Sequence, residues 1–323
     1  MTQIQQLRQQ LSELRSKVNQ GEIFQSLGDE VGKIIDPVKR QRSTKIEQPA
    51  DESDVLELLQ ELREQLNKNE LTAITNQQLF ELLSHIGSTN SAVRDQGVYF
   101  LFNDLLEDQI LTKDQMTQTF NYLLSDEIMF DHIEERKNNG IFQRSFAVLL
   151  LSTLLYGDRA GYFFLNSEML NRLVDQMAVY IVLETDTRGF VKRNGWAHAY
   201  THIGNVLDEL SQRDDLARSD KIFLMTVLIE RYKRLETPLI FGESQRLTAY
   251  LSRLTKKNHL YSSYFLLQLK AWRSQIMSDY QPQTEGQWTV VFKHMRLMQA
   301  ILISGGFDDE IIKYIAGGQN FIN

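Results

Sequence analysis

The chain has 323 residues, 42% of them apolar and 24% charged, the proportions of an ordinary globular protein. Four prolines and no cysteine exclude a disulfide scaffold, a Cys-ligated zinc or iron–sulfur centre, a thiol nucleophile and a collagen-like or disordered chain. A formal charge of −7 opposes attraction to phosphate backbones, so nucleic acid is a disfavoured partner unless a strong basic stripe overcomes that background.

The start of the chain, Met-Thr-Gln-Ile-Gln-Gln-Leu-Arg, is too polar for a signal peptide. Residues 1–20 place Ile4, Leu7, Leu11, Leu14 and Val18 at spacings of three and four, a short coiled-coil seam. The seam suits docking on the protein's own body or a homodimer through residues 1–20. Residues 36–53 then change character. Pro37, Pro49 and the basic run Lys39, Arg40, Arg42 and Lys45 read as a solvated linker. The chain is accordingly divided into an N-terminal helical arm and linker, 1–50, and a helical repeat-like body, 51–323.

In the body, Val55, Leu58, Leu59, Leu62 and Leu66 form one apolar stripe. Thr75–Gln78 is a capping box, in which the hydroxyl and the Gln side chain satisfy free amides at a helix start. Thr112–Gln115 repeats it thirty-seven positions later. Between the boxes, Ser91-Ala-Val-Arg-Asp95 leads into Val98, Leu101, Leu105 and Leu106, like the second helix of a HEAT-type repeat. Further apolar helices are predicted at about 142–157, 166–183, 194–211, 219–234, 243–256, 260–277, 286–304 and 308–316. The longest apolar stretch, Phe146–Tyr156, falls short of the about twenty residues that a membrane span needs. No membrane association is expected, and a cytoplasmic location is. Gly305-Gly306 and Gly317-Gly318 read as helix caps. No run of period two is convincing. The pattern predicts an all-α fold of stacked helical hairpins, a HEAT/armadillo-like α-α superhelix.

No phosphate loop, dinucleotide fingerprint, EF-hand or nucleophile elbow is present. The one segment with chemistry in it is Gly195-Trp196-Ala-His198-Ala-Tyr-Thr-His202. On a helix, His198, His202, Asn205 and Glu209 fall within about 60° of one another, bordering an apolar face. Two histidines at i and i+4 can chelate a metal, and either can act as a general base. Ala199, where the zinc-peptidase pattern needs Glu, removes that reading. A pair of structural histidines and a polar groove are the alternatives. Arg144, Arg188 and Arg246, with Glu243, sit at helix starts or turns. They serve as caps and ion pairs, or converge on an anionic small molecule.

Phe-x-Arg-Ser-Phe at 142–146, Arg-Gly-Phe at 188–190, Gly-Trp-Ala-His-Ala-x-x-His at 195–202 and Gly-Glu-x-x-Arg-Leu at 242–247 occur in this order. Together they resemble the bacterial family catalogued as domain of unknown function 2785, over roughly residues 75–305. The resemblance implies a HEAT-like helical body and no established reaction. The family pattern carries Asp three residues after the second His, where this chain has Asn205.

Two functions stay open. One is a non-enzymatic binding or scaffold module whose polar groove near His198 and His202 takes a protein or peptide. The other is a small-molecule binder or enzyme using these histidines, with or without a metal ion. Trp196, His198, His202, Asn205, Arg144, Arg188, Glu243 and Arg246 are the candidate ligand-binding residues in either case.

Overall fold

A computed structural model describes residues 1–48, 51–278 and 281–317. The expected boundary at residue 50 and Gly318 lie outside the described residues. In chain order the helices are α1 (Gln3–Asn19), α2 (Leu27–Ile35), α3 (Glu52–Asn67), α4 (Asn76–Ser84), α5 (Ser91–Val93) and α6 (Phe100–Glu107). There follow α7 (Lys113–Leu123), α8 (Asp126–Met129), α9 (Gly140–Gly157), α10 (Ser167–Leu183) and α11 (Ala199–Gln212). The series ends with α12 (Arg218–Lys233), α13 (Glu243–Lys257), α14 (His259–Ser278), α15 (Glu285–Ser304) and α16 (Asp309–Ala316). Two wider, π-helical turns, Arg94–Tyr99 and Asp158–Tyr162, follow α5 and α9. Among the described residues the fold is all-α apart from one antiparallel pair, β1 (Phe190–Val191) and β2 (Gly195–Trp196), in which Phe190 faces Trp196 and Val191 faces Gly195.

Local chemistry sets most helix ends. The boxes at Thr75 and Thr112 form as predicted and start α4 and α7. Thr2 and Thr284 build the same reciprocal pair with Gln5 and Gln287. Gly305 ends α15 in the left-handed conformation, with φ 60°. Gly317, also expected as a cap of this kind, follows α16 in the right-handed region instead.

The chain forms two compact units that interleave in sequence. The first comprises residues 1–39, 170–187 and the chain from Leu207 onward. Here α1 and α2 pack on α12, and α13 packs on α14 and α15. Four of the five seam residues, Leu7, Leu11, Leu14 and Val18, are buried in this unit, and Ile4 is half-buried. Arg15, at the inner edge of the seam, makes a bidentate contact with Asp220 (2.7 and 2.9 Å) and reaches Asp175 at 3.0 Å.

The second unit comprises residues 40–169 and 188–206. Helices α4 and α8 pack on α7, which with α8 packs on α9. The segment read as a linker is tied down here. Gln41 donates its amide to the Glu134 carbonyl (2.8 Å), and Thr44 donates its amide and hydroxyl to the Glu135 carboxylate (each 2.7 Å). Arg40, from the basic run, donates to the Ile133 carbonyl at 2.8 Å. The stretch Gly140–Tyr162 is longer and more apolar than its sequence suggested. It reaches membrane-spanning length and composition, and 89% of the window is buried inside the protein. That burial is what the apolar core of this unit requires.

Candidate functional site

The histidine segment differs from its sequence reading in one respect that changes the site. The predicted helix at 194–211 begins only at Ala199, because Gly195 and Trp196 are paired in the hairpin. The hairpin carries left-handed residues at Arg193 in the turn (φ 73°) and at Gly195, the first residue of β2 (φ 78°). Glycine is required at 195: a Cβ there would stand 2.8 Å from the Ser91 Cβ. His198 is therefore not on a helix face. It precedes α11 with φ 50°, and its backbone amide donates to the Arg188 carbonyl at 3.2 Å.

The two histidines have different surroundings. His202 is 5% exposed, and its Nδ1 lies 2.8 Å from the Ser145 carbonyl. A carbonyl only accepts, so the neutral ring carries its proton on Nδ1. Burial pushes its pKa down to about 3, with smaller downward contributions from His198 and Arg94. The Ser145 bond acts in the opposite direction. His198 is half-buried, with its pKa lowered by burial, and its Nδ1 is 3.3 Å from the Thr201 hydroxyl. The ring centroids are 6.2 Å apart. Among the described residues no group of three His, Asp or Glu side chains is placed to hold a metal ion.

Around these rings runs a continuous aromatic series. Phe190 meets the edge of Trp196 at 5.0 Å, and Trp196 stacks on His198 at 4.2 Å with planes 15° apart. His202 stands edge-on to Phe146 at 5.4 Å, and Phe146 to Tyr99 at 6.2 Å. Edge-to-face and offset contacts of this kind fix ring orientation. The outer end is open to solvent: Phe190 is 50% and Trp196 37% exposed.

Arg94 holds the hairpin from beneath. It is 0% exposed, and its guanidinium lies 4.2 Å from the Phe142 ring centroid and 4.8 Å from that of Phe146. Its two terminal nitrogens donate to the carbonyls of Ser88, Asn194 (2.7 Å) and Trp196 (3.1 Å), while Nε has no acceptor among the described residues. Burial lowers its pKa to about 10, against an opposing pull from Asp95. The Asn194 side chain adds a bond to the Thr89 carbonyl (3.0 Å), and Ala197 packs with Ile141 and Phe142.

The remaining candidates are distributed differently. Arg144 donates to the Asp131 carbonyl (3.0 Å) and reaches the Asn138 side chain (3.5 Å), while Arg188 donates to the Asn138 backbone carbonyl. These two therefore meet at one loop, where they tie backbone together. Asn205 is half-buried on α11 within the same unit. Arg246 and Glu243 belong to the first unit. Arg246 pairs with the buried Asp208 at 3.0 Å, and Glu243 accepts the Phe241 amide at 2.8 Å. Sequence reasoning missed Arg94, Phe146 and Phe190. The Asn194-Gly195 dipeptide was an available hairpin signal, and Arg94 lay in the quoted Val-Arg step.

No curated protein and no solved structure matches the chain. The model of a family described as "Protein of unknown function (DUF2785)" matches residues 129–303, which take in α9, the hairpin and the histidines but not Arg94. The chain belongs to that family.

Proposed function

We propose that this protein is a non-enzymatic binding module and that the β1–β2 hairpin is its recognition surface for a protein or peptide segment. One observation carries this reading: Phe190 and Trp196 are exposed to solvent yet packed edge-to-face on each other. Trp196 is stacked on His198, and its carbonyl is tied to the buried Arg94. Fixing an exposed aromatic costs entropy on binding, and the stacking on His198 lowers that cost for Trp196. Trp and Tyr are also the side chains on which interface energy concentrates. His202 supports the same reading, since a neutral ring committed to a backbone carbonyl acts as a structural support for the platform. The helical body is the scaffold. We read its helix pairs as HEAT-like hairpins of an α-α superhelix, on the strength of the two matched boxes that start the mutually packed α4 and α7.

The test is a selection of random linear peptides displayed against the full-length protein. Each selected peptide is measured against the wild type, Trp196→Ala and Phe190→Ala, with melting curves as folding controls. Selected peptides are expected to lose at least about tenfold in affinity for Trp196→Ala, or 1.4 kcal/mol, while the variant, somewhat less stable for want of the stacked ring, still unfolds cooperatively well above the assay temperature. Peptides that bind wild type and both variants equally overturn it.

A further inference from the structure

The charge pattern of the hairpin specifies the chemistry of its partner. No Asp or Glu occurs between Asp186 and Asp208, although the chain as a whole has 42 acidic and 35 basic residues. The same interval contains Arg188, Lys192 and Arg193, and the last two are exposed on the turn that joins β1 to β2. The exposed aromatics and the exposed cations thus share one hairpin: Phe190 and Trp196 face each other across the strands, and Lys192 and Arg193 crown them. Beneath it lies a third cation. Arg94 is buried with carbonyls, not a carboxylate, as its hydrogen-bond partners. The acid that acts on Arg94, Asp95, is itself held toward its neutral form by burial. Two exposed cations on the turn beside an exposed aromatic pair, on a protein whose net charge is negative, favour the opposite arrangement in a partner.

Resting on the reading of the hairpin as a recognition surface, we infer that its partner is an acidic peptide segment. An apolar or aromatic side chain of that segment lies against Trp196 and Phe190, and flanking carboxylates meet Lys192 and Arg193. Single-stranded nucleic acid also combines flat rings with negative charge. The net charge of −7 disfavours it more, because a phosphate backbone carries a charge at every step and runs past the hairpin onto the rest of the surface, whereas a short segment can confine its carboxylates to Lys192 and Arg193.

The experiment uses the full-length protein and three labelled probes: a peptide with Phe interspersed among Glu, its counterpart with Lys in place of Glu, and an oligothymidylate. Binding is followed by fluorescence anisotropy at low and at physiological salt. The variants are Lys192→Glu/Arg193→Glu and Trp196→Ala. The Glu/Phe peptide is expected to bind in preference to the other two and to weaken as salt rises. The charge-reversed variant should lose on the order of tenfold for that probe and gain affinity for the Lys/Phe peptide. Lys192 and Arg193 lie outside the strands and are exposed, so this variant retains the fold, which its melting curve checks. Trp196-dependent binding of both peptides without charge preference overturns the acidic-partner inference and leaves the recognition surface standing. Peptide binding indifferent to Trp196→Ala overturns both. Preferential, Trp196-dependent binding of oligothymidylate overturns the acidic-peptide inference in favour of nucleic acid.

Discussion

Replacing Arg94 with Met tests whether this one side chain fixes the hairpin. The change deletes the donor shared by the carbonyls of Ser88, Asn194 and Trp196. A hydrogen bond from a charged group contributes about 1.5–3 kcal/mol, so the gross loss is about 5–9 kcal/mol. Relief of burial opposes it. The Arg94 pKa is lowered from 12.5 to about 10, and at about 1.4 kcal/mol per pKa unit its removal recovers about 3 kcal/mol. The flexible Met side chain keeps some contact with Phe142 and Phe146. A net destabilisation of about 2–6 kcal/mol is expected. Urea unfolding followed by circular dichroism measures it, and amide exchange at Val191, Asn194 and Gly195 localises it. A variant within about 0.5 kcal/mol of wild type, the range of an ordinary surface substitution, with hairpin amides equally protected, refutes the reasoning.

Three further outcomes follow from buried charges. His202 has a folded pKa of about 3 against an ordinary 6.5, so the unfolded chain takes up the proton first as pH falls. Stability is therefore lost from about pH 6.5 down toward 3, at up to about 1.4 kcal/mol per pH unit, and His202→Gln should flatten that slope; parallel stability–pH curves contradict it. Lys293, on α15, is 2% exposed with its pKa lowered to about 7 by burial, and its ammonium donates to the Leu235 carbonyl. Between about pH 7 and 10.5 only the unfolded chain stays charged at this position, so stability rises with pH there, and Lys293→Met should remove that rise. Arg15→Met strips the buried Asp220 of its bidentate partner and should cost about 3–5 kcal/mol, read as unfolding of the unit that contains α1; a change below about 1 kcal/mol shows that α1 docks without this contact.

The helices were legible in the sequence because their ends are local chemistry. Thr75 and Thr112 cap helices through their own neighbours, and the apolar periodicity from α9 to α16 needs no distant information. The hairpin was obscured by a competing pattern. His198 and His202 have helical spacing, Ala197 and Ala199 are strong helix formers, and together they outweighed the Asn194-Gly195 turn signal. Helical phasing then assigned His198 a face that its left-handed backbone does not have. Arg94 was out of reach for a different reason. An arginine in a polar turn has a surface composition, and only the tertiary contacts with Phe142, Phe146 and the hairpin carbonyls reveal a buried charge. The scattered arginines were legible as helix-start residues, but their destinations, Asn138 for Arg144 and Arg188 and Asp208 for Arg246, depend on contacts made elsewhere in the chain.

Trp196 is the proposed anchor of the recognition surface. The most direct measurement is the calorimetric affinity of one selected peptide for wild type and for Trp196→Ala, with both melting temperatures recorded. An interface anchor contributes at least about 2 kcal/mol, so the variant should bind on the order of thirtyfold more weakly while it remains folded at the assay temperature. Equal affinity for the two proteins would contradict the account.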